Sequence, residues 1–77
     1  MRSPLDIQRE IAGRRSSPDP KIAQATRRAA GVTQEWAAAE LGVHRVTFAR
    51  WEEGRVVPRG VNRQRWTELL RILREAG

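Results

Sequence analysis

The sequence predicts an all-α fold, a bundle of four to five short helices preceded by a further short helix at the N-terminus. Three observations carry that expectation. No stretch shows the apolar–polar alternation of a half-buried strand. Glycines, prolines and helix-capping residues divide the chain into pieces of helical length. Near the C-terminus Trp66, Leu69, Leu70 and Leu73 recur at i, i+3, i+4 and i+7, which places them on one face of a helix.

The elements follow in order. Ser3, Pro4 and Asp6 open the first as cap, first helical position and acidic partner of a capping box. Leu5, Ile7 and Ile11 are its apolar residues, and Gly13 ends it. At about ten residues it is too short to stand alone, so it docks or frays. The next segment, Arg14-Arg15-Ser16-Ser17-Pro18-Asp19-Pro20, has no apolar residue and reads as a linker. Residues 1–18 are thus a helix and linker, and 19–77 the main domain. Asp19 and Pro20 cap and start a helix through Ile22, Ala23, Thr26 and Ala30 that stops at Gly31. Thr33 caps a helix from Gln34 to Leu41, ended by Gly42. Another begins near His44 and closes at Gly54. A polar loop with Pro58 and Gly60 leads into the final helix.

Composition narrows the function classes. A chain of 77 residues supports one small core, and such cores lean on disulfides, metal or a second subunit. There is no cysteine and His44 is the only histidine, so disulfides and a metal cage are excluded and self-association is the support expected. No apolar run approaches a membrane span, and the N-terminus lacks the apolar stretch of a signal peptide, so a cytoplasmic protein is expected. Fifteen basic against nine acidic residues leave a net charge of +6. Nucleic acid is then the leading partner and an anionic membrane a distant second. All the basic residues but Lys21 are arginines. Genome base composition produces such a bias, and arginine's planar fork also suits phosphate and guanine. No carboxylate pair or nucleophile–base pair converges, so neither catalysis, nor a cofactor, nor a small-molecule ligand is expected.

The informative window runs from Thr33 to Gly54. Two short helices are joined at a glycine that tolerates positive φ, Gly42. Ala38 is the small residue needed where the helices cross, and Ala37, Leu41, Phe48 and Trp51 supply a shared apolar face. The opposite face of the second helix carries Arg45, Val46, Ala49 and Arg50, two arginines with no acid among them.

This window resembles the helix-turn-helix of the lambda-repressor-like regulators, the Cro/XRE group of bacterial and phage proteins. The resemblance rests on the opening Gly31-Val32-Thr33-Gln34-Glu35, the turn Leu41-Gly42-Val43 and the closing Arg50-Trp51-Glu52-Glu53-Gly54, and covers roughly residues 20–73. It implies a four- or five-helix domain, a recognition helix over about 44–53 in the major groove of double-stranded DNA, and a homodimer on an operator. Carried over by position, it implies that Gln34 meets a phosphate or base at the site edge and that Thr33 caps its helix near the backbone. Arg45, Val46 and Arg50 would face base edges, and His44 and Thr47 would touch phosphate. Arg27 and Glu52 match an ion pair tying the first domain helix to the end of the recognition helix. Arg55, Arg59 and Arg63, in and just after the following loop, are either solvated or on phosphate.

The chain departs from the family's pattern at several points. His44 stands where Ser or Thr is usual. Trp36 occupies an often polar, exposed position and should be covered, by the N-terminal helix or a second subunit. Ala23 and Thr26 are small, a deficit for Trp66 or Trp36 to fill. Segment 1–18 lies outside the pattern. The resemblance points most closely to a stand-alone phage Cro-type repressor, nucleoid-associated and too small for a sensor domain. The alternative is the antitoxin of a toxin–antitoxin pair, with residues 1–18 the only candidate for wrapping a protein toxin.

Overall fold

Capping chemistry sets the helix boundaries in the computed structural model, which describes residues 17–76. Four helices follow one another, and the described residues contain no strand: α1 (Pro20–Ala29), α2 (Gln34–Leu41), α3 (Arg45–Glu52) and α4 (Gly60–Ala76). The helix expected between Ser3 and Gly13 lies outside the described residues. No helix among them is long and apolar enough to cross a membrane.

Each of the first three helices starts on a side-chain cap. Asp19 Oδ1 accepts from the Lys21 and Ile22 N–H groups at 2.9 and 3.1 Å, with Pro20 in the first turn. Thr33 Oγ1 accepts from the Trp36 N–H at 3.0 Å. His44 takes over the role usually filled by Ser or Thr: its Nδ1 accepts from the Val46 N–H at 3.3 Å. The turn between α2 and α3 depends on Gly42, which sits at φ 68°. A Cβ there would meet nothing closer than 3.9 Å, so the requirement is conformational rather than a matter of space. The reversal is sealed by Val43 N–H donating to Ala38 O at 3.0 Å, a closing bond typical of glycine-terminated helices.

The core sets alanines of α1 and α2, with Leu41 at the end of α2, against large residues of α3 and α4. Ala23, Ala37 and Ala38 are buried together with Leu41, Phe48, Trp51, Trp66 and Leu70. Phe48, Trp51 and Trp66 form a three-membered aromatic cluster with ring centroids 5.5 to 6.3 Å apart. Edge-on and tilted contacts of this kind add about 0.5–1.5 kcal/mol each beyond area burial. Trp66, at 1% exposure, supplies the volume that the small α1 residues lack; Trp36 does not, remaining 43% exposed among the described residues. Trp66 has one cost, since its buried indole N–H has no acceptor among the described residues. Leu73 completes the buried stripe of α4, Leu69 is half-buried and Ile72 is exposed.

Ala38 is 2% exposed in the α2–α3 packing. Ala38→Leu forces additional methylenes into a filled crossing and is expected to cost about 1–3 kcal/mol. A urea denaturation midpoint equal to that of the parent would contradict this geometry.

Candidate nucleic-acid interface

A three-residue hub fixes α3 relative to the rest of the domain. Arg27 Nε donates to Glu52 Oε2 at 2.7 Å and Nη2 to Glu52 Oε1 at 3.0 Å, a two-pronged arginine–carboxylate contact. Arg27 Nη1 donates to the Val32 carbonyl at 2.8 Å, binding the α1–α2 turn into the same unit. Both charged residues are buried. Gln34 joins them, its Nε2 donating to Glu52 Oε1 at 3.0 Å. One carboxylate at the end of α3 is thereby held from α1 and α2.

The hub gives the Gln34 side chain a partner within the protein: its amide nitrogen donates to Glu52, and the residue is half-buried. No spacing rule announces a contact across 18 positions. The available signal was chemical: a buried glutamate accepts more than one arginine fork can donate, and Gln34 is a nearby donor.

With Phe48, Trp51 and Glu52 turned inward, the outer face of α3 is set by helical period. Arg45 and Arg50 are exposed there, and neither makes an ion pair among the described residues. Val46 is 43% exposed, Thr47 and Ala49 are half-buried, and His44 is exposed at the N-terminal end. Because His44 accepts at Nδ1, its neutral ring carries the proton on Nε2 and presents one outward donor.

Glu53 was missed in the sequence reading, which described this face as acid-free. It is exposed as the C-cap of α3 and pairs with Arg55, Nε to Oε2, at 3.1 Å. Arg55 therefore meets a carboxylate before it can meet a phosphate. Arg59 is exposed and Arg63 half-buried, and neither has an ion-pair partner among the described residues. The other exposed ion pairs lie on α4, where Arg71 holds Glu68 and Glu75. The hydrogen bond from Arg71 keeps the Glu68 carboxyl below the usual glutamate range. Its contribution is therefore complete above that range and fades as pH falls through the lowered value, a small effect for groups so exposed. Among the described residues no group of three or more His, Asp or Glu side chains is placed to hold a metal ion.

The loop after α3 also differs from its description as polar. Val56 and Val57 are 45% and 51% exposed, and Val61 in the first turn of α4 is 60% exposed. The loop is nonetheless ordered: Arg55 and Val56 N–H groups donate to the Arg50 carbonyl at 3.0 and 3.4 Å, and Pro58 is buried.

Two eight-residue helices packed across alanines, a left-handed glycine between them, and a second helix whose outer face bears exposed arginines define a helix-turn-helix module, the class of fold that binds DNA. The chain belongs to the helix-turn-helix domain family, whose model matches residues 23–77. No curated protein and no solved structure matches it.

Proposed function

We propose that this protein is a sequence-specific, double-stranded-DNA-binding transcriptional regulator of the XRE type, close in kind to the stand-alone Cro repressors of phages. The observation that carries this reading is the pair of exposed arginines, Arg45 and Arg50, without ion-pair partners among the described residues, on a helix whose opposite face is locked into the core. In the major groove each guanidinium forks to a guanine, and Val46 meets a thymine methyl. His44, through Nε2–H, and Thr47 donate to phosphate. The first turn of α2, opened by Thr33 and Gln34, approaches the backbone with its free N–H groups. Arg59 adds a phosphate contact, and Arg55 adds another by exchanging Glu53 for DNA. The protein acts in the cytoplasm as a homodimer on its operator, blocks polymerase and carries out no catalysis.

The half-exposed Trp36 favours a second reading, an antitoxin that also binds a protein toxin. Co-purification of a defined toxin from the native host separates the two.

Selection from randomised duplexes tests the main reading. The expected result is one enriched motif, with major-groove protection opposite α3 and altered preference at one base position in Arg50→Ala. Failure to enrich any sequence would sink it. Glu53→Gln gives a separate check. Removing that carboxylate frees Arg55 and lessens repulsion of phosphate, so random duplexes bind more tightly. Arg55→Ala, which removes the contact itself, flattens the slope of log affinity against log salt by about 0.9, the value for one phosphate. An unchanged slope in Arg55→Ala would exclude Arg55 from the backbone contacts.

A further inference from the structure

We infer that the trough between the end of α2 and the middle of α4 receives the N-terminal segment of the same chain, residues 4–12, as a docked amphipathic helix. The inference does not depend on the DNA-binding reading.

The trough has a volume of about 380 Å³. Leu41, Leu69 and Ile72 give it an apolar lining, and Glu40, Arg65 and Glu68 edge it. Leu41 is buried and Leu69 half-buried, whereas Ile72 is exposed. Helical period puts Trp36 one turn before Glu40 on the same side of α2, where it is exposed and extends the apolar strip. Every polar residue lining the trough is itself exposed. The trough therefore offers contact to apolar side chains and lacks the convergent buried polar groups of a small-ligand site.

Sixteen residues precede the described part of the chain, and their sequence matches the trough in pattern, length and charge. At about 100° per residue, Leu5, Ile7, Ile11 and Ala12 fall within an arc of about 160°, while Asp6, Arg9 and Glu10 fall on the remainder. A helix so short holds together only when its apolar face is covered. Pro4 to Ala12 and Gln64 to Ile72 are equal stretches, each about 12 Å of helix. The tether from Ala12 to Ser17 reaches up to about 17 Å, roughly twice the spacing of packed helices. Arg2, Arg9, Arg14 and Arg15 outnumber Asp6 and Glu10 in the segment, whereas the trough carries two glutamates to one arginine. Glu40 is exposed and has no ion-pair partner among the described residues. A second copy suits this surface less well. Two chains of net charge +6 repel, whereas a tethered segment meets the trough at an effective concentration of about millimolar.

The test uses the full chain. It contains no cysteine, so Gln64→Cys, at an exposed lining position, gives a single attachment site for a nitroxide spin label. Paramagnetic broadening of the amide signals of residues 5–12 is expected in that protein. Adding Leu5→Ser/Ile7→Ser/Ile11→Ser should restore sharp signals there and lower the melting midpoint by about 5 °C or more. Unchanged amide shifts in α1 and α3 confirm that the domain itself remains folded. Ile72→Ser, made in the trough instead, should reduce the broadening from the other side of the contact. Equal broadening with and without the three serines would overturn the proposal, because a segment that merely wanders on its tether gives that signature. So would a lack of broadening in the labelled Gln64→Cys chain. Mixing isotope-labelled chains without the nitroxide and unlabelled chains that carry it tests the other occupant. Broadening in that mixture would mean that the trough takes up a second copy, and the proposal would fail.

Discussion

Glu52→Ala is expected to lower the stability of the domain by about 3–5 kcal/mol, because it strands the Arg27 guanidinium in a site closed to water. The side chains of the pair are only 9% and 1% exposed, and Glu52 accepts all three hydrogen bonds that Arg27 and Gln34 direct at it. Without the carboxylate Arg27 keeps only its bond to the Val32 carbonyl. A domain of this size has a total stability on the order of 5–10 kcal/mol, so the loss leaves a marginal protein. The physical cause is the orphaned charge rather than a large net value of the pair. Arg27→Met combined with Glu52→Leu should therefore recover much of what either single change removes. Gln34, being half-buried, then finds water. Urea denaturation of the parent, the two single variants and the double variant forms a complete cycle. A cost below about 1 kcal/mol for Glu52→Ala would mean that water reaches the site and that the pair behaves like one at the surface.

The parts of this fold legible in the sequence are those governed by local chemistry. Asp19, Thr33 and His44 cap their helices through bonds two or three residues ahead, and Gly42 ends α2 by its own φ, so the starts of α1–α3 were fixed within a few letters of text. The buried stripe of α4 followed from helical period alone. Contacts made through space were less accessible. The Arg27–Glu52 pair, 25 residues apart, was reached only through resemblance to a family, and the Gln34 arm of the same hub was not reached at all. Both depend on the angles at which helices cross, which no local spacing encodes. Glu53 lies inside the expected 44–53 helix and was left off its outer face, although it stays exposed there as the C-cap of α3. The loop valines were hidden by their neighbours: arginine, proline and glycine gave the segment a polar reading, whereas Val56 and Val57 are exposed and Pro58 is buried.

On the proposed reading, Arg45→Ala/Arg50→Ala should abolish discrimination between the selected duplex and random DNA while leaving the protein folded. Each bidentate guanine contact contributes about 1–3 kcal/mol, and two that reach different bases combine nearly additively. Specific binding should then fall by roughly 30-fold to 10⁴-fold, whereas binding to random duplexes falls only by the smaller share due to net charge. Both residues are exposed on α3, make no ion pair among the described residues, and are replaced by the best helix former, so stability should hold or rise slightly. Charge and position are separated by a matched variant, Arg65→Ala/Arg74→Ala, which removes two cations from exposed sites on α4. That pair should weaken all duplexes alike and preserve the sequence preference. If the two double variants lost specificity equally, the arginines of α3 would be acting as general charge, and the groove-reading role assigned to that helix would have to be abandoned. If instead only the α3 variant loses it, the discrimination resides in where two guanidinium groups are held, and the Arg27–Glu52–Gln34 hub is what holds them there.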